Sequence, residues 1–140
     1  MLNPESSPGF LLWHVTLRWQ REVAAALAPM DLTHVQFVLL ACTWWLNRDG
    51  TQPSQVAVAR QAGTDVKMTS QVLRTLENKQ LVTRTVDPAD ARARLLAATE
   101  QGSRLAEQAI AVVEDVDAAF FAGAAAPAEV VRLLRPLASR

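Results

Sequence analysis

The sequence contains one cysteine, five glycines and no tyrosine. Because Cys42 has no partner cysteine, an internal disulfide is excluded, and a reducing compartment is expected. The scattered glycines form no phosphate-binding loop, and His14 and His34 lie too far apart in the chain to suggest a metal site. No local motif for nucleophilic catalysis occurs either. We therefore expect a protein that is not an enzyme and uses no cofactor or metal.

Long hydrophobic runs are also missing. No window reaches the 18 or so uncharged apolar residues of a membrane span, and the opening residues lack the basic segment of a signal peptide. Half of the residues (50%) are nevertheless hydrophobic, which is enough to bury a core. The composition predicts a soluble cytoplasmic protein.

The chain has no net charge, with 14 basic and 14 acidic residues. Taken alone, this balance argues against nucleic-acid binding. The charges are not evenly spread, however, because residues 60–94 carry seven bases and four acids, whereas both flanking segments are slightly acidic. The basic residues of the central segment are Arg60, Lys67, Arg74, Lys79, Arg84, Arg92 and Arg94.

Apolar residues recur at helical spacing through most of the chain. They predict a first helix over residues 9–28, ended by Pro29. A second helix is predicted over residues 31–47, with a capping box formed by Thr33 and Gln36. A long helix capped by Thr99 and a final helix after Pro127 complete a mainly α fold, and their apolar stripes comprise Leu105, Ala109, Val112, Val113, Val116, Phe120, Val130, Leu133, Leu134 and Leu137.

Two short helices are predicted in the basic centre. The first begins at Pro53 and ends at Gly63, and the second is capped by Thr64 or Asp65 and ends near Lys79. Their predicted inner faces comprise Val56, Ala59 and Ala62 in the first and Val72, Leu73 and Leu76 in the second, with Met68 or Thr69 continuing the latter. This layout is typical of a helix-turn-helix.

The second of these helices is the candidate recognition helix, since side chains from its first turns could reach base edges in a major groove. Glutamine suits adenine, and arginine or lysine suits guanine or phosphate. An ordinary solvated helix face is the alternative. The candidate contacts are Lys67, Thr69, Ser70, Gln71 and Arg74.

A small β-hairpin, or wing, is predicted after the recognition helix. Residues 81–86 form a β-branched run and residues 92–98 can return as a second strand. Arg92 and Arg94 alternate on that strand and project from one side, as an insertion into a narrow minor groove requires, and Arg84 is a third candidate contact. Asp90 is expected to pair with a nearby arginine. The alternative is a charged edge hairpin that its arginines keep soluble.

The order and spacing of these elements resemble the MarR family of winged-helix regulators over roughly residues 9–138. Matching segments include Leu32-Thr33 with Gln36-Phe37, Leu76-Glu77 before Leu81-Val82, and Asp87 to Arg92 followed by Thr99 to Gly102. Two positions depart from the family pattern. Gln80 stands where a glycine usually precedes Leu-Val, so a strained or differently shaped helix exit is expected, and Ala98 replaces a leucine.

The resemblance implies a homodimer that binds a pseudo-palindromic operator in double-stranded DNA and acts as a transcriptional repressor. Residues 1–30 and 100–140 would form the dimerisation region, and residues 31–99 the winged helix-turn-helix. The rival reading is a winged-helix protein-interaction module without DNA binding, which the zero net charge favours.

Members of this family often respond to small aromatic or phenolic ligands, and the candidate residues to line a cleft for such a ligand are Trp13, His14, Trp44, Trp45 and Arg48. The alternative is that these aromatic side chains serve core or dimer packing. Cys42 is interpreted as a buried, unreactive thiol. The carboxylates of Glu114, Asp115 and Asp117 are expected on a solvated helix face.

Overall fold

The computed structural model describes residues 3–139. Within them, six α-helices and one two-stranded antiparallel hairpin follow each other along the chain. The helices are α1 (Pro8–Leu27), α2 (His34–Asn47), α3 (Gln55–Ala62), α4 (Val66–Asn78), α5 (Glu100–Phe121) and α6 (Pro127–Ala138), and the strands are β1 (Val82–Asp87) and β2 (Asp90–Ala98). The predicted fold class, mainly α with a small β-hairpin wing, is confirmed.

Side-chain caps begin most of the helices. The predicted capping box of α2 is present, since Thr33 Oγ1 accepts from the Gln36 amide and Gln36 Oε1 accepts from the Thr33 amide, both at 3.2 Å. The helix itself begins at His34, and the predicted start at Asp31 is wrong. Asp31 has a φ of 56° and therefore lies in the left-handed region, outside the helix.

The start of α3 also differs from the prediction. Ser54 is the N-cap and accepts from the Ala57 amide at 3.1 Å, whereas Pro53 is buried ahead of the helix and its carbonyl accepts from the Leu96 amide at 2.8 Å. Gly63 ends the helix as predicted, with a φ of 73°. Val58 takes the buried position instead of Val56, which is 57% exposed.

The hairpin pairs Val82 with Ala98 and continues in register to Val86 and Arg94, after which the register shifts near the turn. Ser54 forms an isolated antiparallel bridge with Leu95. Together with the Pro53 carbonyl, this bridge joins the start of α3 to the hairpin. The position of the wing is thus fixed relative to the helix-turn-helix.

The core lies around α2, which contacts α1, α3, α4, α5 and β2. Its largest buried side chains come from α1, α2, α3, α4 and β2 and include Leu27, Leu39, Leu40, Val58, Leu73, Leu76 and Leu96, whereas α5 contributes the smaller Ala106, Ala109 and Val113. Full burial of one such side chain contributes about 1.5–3 kcal/mol. The helix-turn-helix, the wing and the long helices therefore share one hydrophobic core.

Two sets of exposed apolar side chains lie outside this core. In the first half of α1, Trp13 is 61% exposed, and in α6 Leu133 is 69% exposed. Single exposed apolar side chains are ordinary, but this many on two helices that line a common groove are typical of an interaction surface. The exposed set comprises Phe10, Leu11, Leu12, Trp13, Val15, Leu17, Val131, Leu133, Leu134 and Leu137.

Among residues 3–139, no single helix is both long and apolar enough to cross a membrane. Pro8–Met30 and His34–Asn47 would be long and apolar enough if taken together, but the chain bends by 74° at the break between them.

Candidate nucleic-acid interface

The outer face of α4 carries three of the predicted contacts. Lys67, Gln71 and Arg74 are all exposed. At about 100° per residue, the three fall within about 60° of one another around the helix axis. Leu73 and Leu76 are fully buried on the opposite side. The helix therefore has one apolar face in the core and one polar face that presents two cations and an amide together.

Thr69 does not belong to this exposed face. It is fully buried, and its hydroxyl lies 2.6 Å from Thr64 Oγ1 and donates to the Asp65 carbonyl at 2.7 Å. The prediction that Thr69 contacts DNA is therefore wrong. Asp65, rather than Thr64, caps the helix by accepting from the Met68 amide at 2.7 Å, so Thr69 serves to hold the turn against α4.

Arg84 is not free either. Its Nε donates to Glu77 Oε1 at 2.7 Å, and its Nη1 donates to Gln55 Oε1 at 3.1 Å and lies 3.5 Å from Ser70 Oγ. The Arg84 side chain is only 17% exposed. The expectation of a direct DNA contact is not supported, since the guanidinium is directed inward to α3 and α4. Ser70 is half-buried beside it.

The wing presents the other two arginines to solvent. Arg92 Nε lies 3.3 Å from Asp90 Oδ1, and the Arg92 side chain is 93% exposed. The predicted pairing of Asp90 with a nearby arginine is thus confirmed. Arg94 is exposed, and its Nη1 donates to the backbone carbonyls of Ala91 and Ala93 at 3.4 and 3.3 Å. Both guanidinium groups keep donors that other acceptors can use.

The wing and the helix-turn-helix meet at a shallow cavity of about 180 Å³. Its lining includes Val56 from α3, Val66 from the first turn of α4, and Arg92 and Arg94 from β2. The arginine-bearing part of the wing therefore lies beside the first turn of the recognition helix.

Lys79 is the second internal cation of the basic segment. Its Nζ donates to the Asp31 carbonyl and to Gln36 Oε1, the latter at 3.0 Å, and lies 3.5 Å from the Asp31 carboxylate. Lys79 therefore ties the end of α4 to the start of α2. Of the seven basic residues, those that remain exposed are Arg60, Lys67, Arg74, Arg92 and Arg94.

At the exit from α4, Gln80 keeps the backbone conformation that suits the glycine of the family pattern. Gln80 has a φ of 63°, a left-handed conformation that glycine adopts without cost. Its carbonyl accepts from Thr99 Oγ1 at 2.7 Å, and the Leu81 carbonyl accepts from the Thr99 amide at 3.0 Å. Thr99 Oγ1 also caps α5 through the Gly102 amide at 2.9 Å. The end of the recognition helix is thus bonded directly to the start of α5.

The five predicted ligand-binding residues lie in two groups, Trp13 and His14 on α1 and the other three at the end of α2. Trp13 and His14 are exposed on α1, and His14 stacks edge-on with Phe10 at 4.6 Å between ring centroids. At the other end of the set, the Arg48 guanidinium lies 3.7 Å from the centre of the Trp45 ring. Trp44 is half-buried in the core periphery. None of the five lines the cavity beside the wing or the groove between α1, α5 and α6.

A larger groove of about 560 Å³ lies between α1, α5 and α6 and is mostly apolar. At its edge, Trp19 Nε1 donates to Asp117 Oδ1 at 2.7 Å, so Asp117 does not lie on a solvated face as predicted. Glu114 and Asp115 are exposed as expected.

The Trp19 ring also stacks edge-on against His34 at 5.1 Å. Burial lowers the pKa of His34 below 6.5, and the Asp117 carboxylate opposes this shift.

Cys42 is half-buried in α2. Burial raises the pKa of its thiol, so the thiolate that would react is disfavoured. Within residues 3–139, no group of three or more histidine, cysteine, aspartate and glutamate side chains is arranged to hold a metal ion.

Sequence reasoning missed the partners of Arg84. Glu77 and Gln55 lie on two different helices, and Gln55 is far from Arg84 in the chain. No local pattern links them, because their contact depends on how α3 packs against the hairpin. The Thr99 to Gly102 motif, in contrast, marked position 102, although no sequence pattern shows that Gly102 packs against the backbone carbonyl of Leu81.

A basic recognition helix with an arginine-bearing hairpin beside it defines a winged helix-turn-helix protein. The family model described as "ArnR1-like, winged-helix domain" matches residues 29–117. An HTH-type transcriptional regulator of Bacillus subtilis is 46% identical over 87% of this chain and 83% of its own length. An HTH-type transcriptional repressor of Mycobacterium tuberculosis is 34% identical over 99% of this chain and 98% of its own.

Solved structures agree with these relatives. A MarR-family transcriptional regulator of Rhodococcus is 32% identical, with a TM-score of 0.78 over 92% of this chain and 87% of its own. CouR of Rhodococcus jostii, bound to p-coumaroyl-CoA, is 29% identical, with a TM-score of 0.82 over 98% of this chain and 92% of its own. The chain belongs to the MarR family of winged helix-turn-helix transcriptional regulators.

Proposed function

We propose that the protein is a homodimeric repressor that binds a pseudo-palindromic operator through α4 and the wing. One observation carries this proposal. The first turn of α4 and the Arg92–Arg94 segment of the wing line a common cavity, so the recognition helix and the wing cations lie side by side. This arrangement suits a helix in a major groove and an arginine in the adjacent minor groove.

Each predicted contact that is exposed has a role in this proposal. Gln71 suits a bidentate contact with adenine, and Arg74 and Lys67 suit guanine or phosphate. Arg92 reaches the minor groove, where Asp90 restricts its orientation, and Arg94 contacts phosphate. Ser70 is half-buried at the edge of the helix face and contributes at most a backbone contact.

The proposed dimer is formed by the helices at the two ends of the chain. The apolar residues exposed on α1 and α6 would be covered by the same surface of a second copy, as twofold symmetry requires. The groove between α1, α5 and α6 adds further apolar surface to this region. In this division, residues 1–30 and 100–140 form the dimerisation region, residues 31–99 bind DNA, and two recognition helices lie about 34 Å apart.

We propose further that a small aromatic ligand releases the repressor from DNA in the cytoplasm. CouR, a structural relative, was crystallised with p-coumaroyl-CoA, which supports an aromatic ligand class. Such a ligand must bind the two states of the dimer with different affinity. Adding phenolic acids to the protein–DNA complex tests the class, and a ligand that binds without changing DNA affinity would contradict regulation by it.

A mobility-shift titration with the DNA upstream of the protein's own gene tests the main proposal. We expect a specific complex that weakens steeply when the salt concentration is raised, because binding releases counterions from the phosphates. Equal, weak binding to this DNA and to a scrambled duplex would instead favour a protein-interaction module. Analytical ultracentrifugation of the free protein tests the dimer, and a monomer at micromolar concentration would contradict it.

A further inference from the structure

We propose that Arg84 is a positioning residue for DNA recognition, which holds the recognition helix against the wing and α3 without contacting DNA itself. This inference rests on the DNA binding proposed above. It starts from the three partners of one guanidinium group: Glu77 Oε1 at 2.7 Å, Gln55 Oε1 at 3.1 Å and Ser70 Oγ at 3.5 Å.

These partners lie on separate elements that must be aligned for DNA binding. Arg84 belongs to β1, Gln55 to the first turn of α3, and Ser70 and Glu77 to α4. Ser70 and Glu77 are two helical turns apart, about 10 Å along the axis. A contact at both points opposes rotation of α4 about its axis as well as tilting against the hairpin. Base recognition requires such control, because binding geometry must be held to about 10–20°.

Charge and burial separate Arg84 from the DNA-contacting cations. Its side chain is 17% exposed and is paired with a carboxylate, so the Arg84–Glu77 pair contributes no net charge to the surface. Arg74, one turn after Ser70 on the same helix, is exposed. Arg84 therefore lies at the edge of the face that it orients, while Arg74 lies on that face.

The test compares Arg84→Gln with Arg74→Ala as the matched contact variant. Binding is measured by fluorescence anisotropy to a duplex that the wild type selects from a randomised pool and to a scrambled duplex, each over a range of salt concentrations. For Arg84→Gln we expect binding to the selected duplex to weaken about tenfold or more. Binding to the scrambled duplex and the salt slope should stay nearly unchanged. Arg74→Ala should weaken binding to both duplexes and lower the salt slope by about one.

Glu77→Gln gives the sharpest discrimination. If Glu77 acted only through its charge, its removal would strengthen binding to any DNA. The positioning role predicts the opposite sign for the selected duplex, namely weaker binding. The double variant of Glu77→Gln with Arg84→Gln should bind no more weakly than Arg84→Gln alone, because both changes break the same contact.

A folding control accompanies these measurements. Circular dichroism and urea denaturation give the folded fraction of each variant, and Gln55→Ala, which removes only the contact to α3, serves if Arg84→Gln does not fold. Gln55→Ala should then lower the preference for the selected duplex with the salt slope intact.

Three results would overturn the positioning role: a salt slope lowered by about one in Arg84→Gln, equal losses of affinity on both duplexes, or tighter binding by Glu77→Gln. A wild type that selects no duplex would instead overturn the proposed DNA binding, and the positioning role with it.

Discussion

Gly102, in the first turn of α5, packs directly against the backbone carbonyl of Leu81 at the exit of the recognition helix. A Cβ atom at position 102 would lie 2.8 Å from the Leu81 carbonyl carbon and would overlap its oxygen. Because both atoms belong to the backbone, neither can rotate away. Gly102→Ala should therefore lower the free energy of unfolding by about 2–3 kcal/mol, as measured by urea denaturation.

Gly123 provides the matched control. It lies between α5 and α6, and a Cβ atom there would meet nothing within 4 Å. Gly123→Ala should change the free energy of unfolding by less than about 0.5 kcal/mol. Equal effects of the two substitutions would contradict the contact between Gly102 and Leu81.

Gln80→Gly should stabilise the protein. The wild-type residue has a φ of 63°, and a side chain in this left-handed conformation costs about 1–2 kcal/mol. The gain is partly offset because glycine adds freedom to the unfolded chain, so we expect a net increase of about 0.5–1 kcal/mol in the free energy of unfolding. The control is Gln108→Gly, at an exposed position in the middle of α5. It should lower the free energy of unfolding by about 1 kcal/mol. A loss at both positions would argue against strain at Gln80.

Arg92→Ala should weaken binding to every DNA sequence to a similar extent. The exposed Arg92 guanidinium is proposed to interact with the minor groove, where the attraction depends mainly on negative potential. The slope of log affinity against log salt concentration should fall by about one. Unchanged affinity and slope would remove the wing from the DNA-binding surface.

Gln71→Ala should alter the preference among operators. An exposed glutamine on the outer face of α4 can make two hydrogen bonds to adenine, and such a pair contributes about 1–3 kcal/mol of discrimination. Selection from a randomised duplex pool, repeated with the variant, measures the change. Identical selected sequences for wild type and variant would show that position 71 reads no base.

His34 should make the stability of the protein depend on pH. Since burial lowers its pKa below 6.5, the unfolded chain binds the proton more readily than the folded one. Its contribution to stability is therefore complete above pH 6.5 and is lost as the pH falls through that value toward the folded pKa. His34→Gln should flatten the stability curve in this window, as measured by denaturation between about pH 5 and pH 8. Parallel curves for the two proteins would rule out His34 as the source.

The sequence predicted the elements of this fold because their signals are local. The capping box at Thr33 and Gln36, the glycine exit at Gly63 and the pairing of Asp90 with Arg92 each involve residues two or three positions apart, or a single backbone conformation. The element order then sufficed to suggest the winged helix-turn-helix.

Burial and long-range contacts were harder to predict. Thr69 and Arg84 are both polar and both lie in the DNA-binding segment, yet one is fully buried and the other bridges three elements. The sequence does not fix the rotation of α4, or the packing of β1 against it, closely enough to tell such positions from their exposed neighbours. Trp44 and Trp45 lie side by side on α2, with ring centroids 6.4 Å apart, but helical spacing alone does not show whether Trp13 on α1 joins them.

The central claim is that two copies of α4 and the wing bind one face of the DNA. Footprinting of the protein on a selected duplex tests this claim most directly. Dimethyl sulfate should reveal two protected major-groove patches about 34 Å apart, and hydroxyl radicals should reveal minor-groove protection beside each, which Arg92→Ala abolishes. A single protected patch, or minor-groove protection that persists in Arg92→Ala, would contradict the claim.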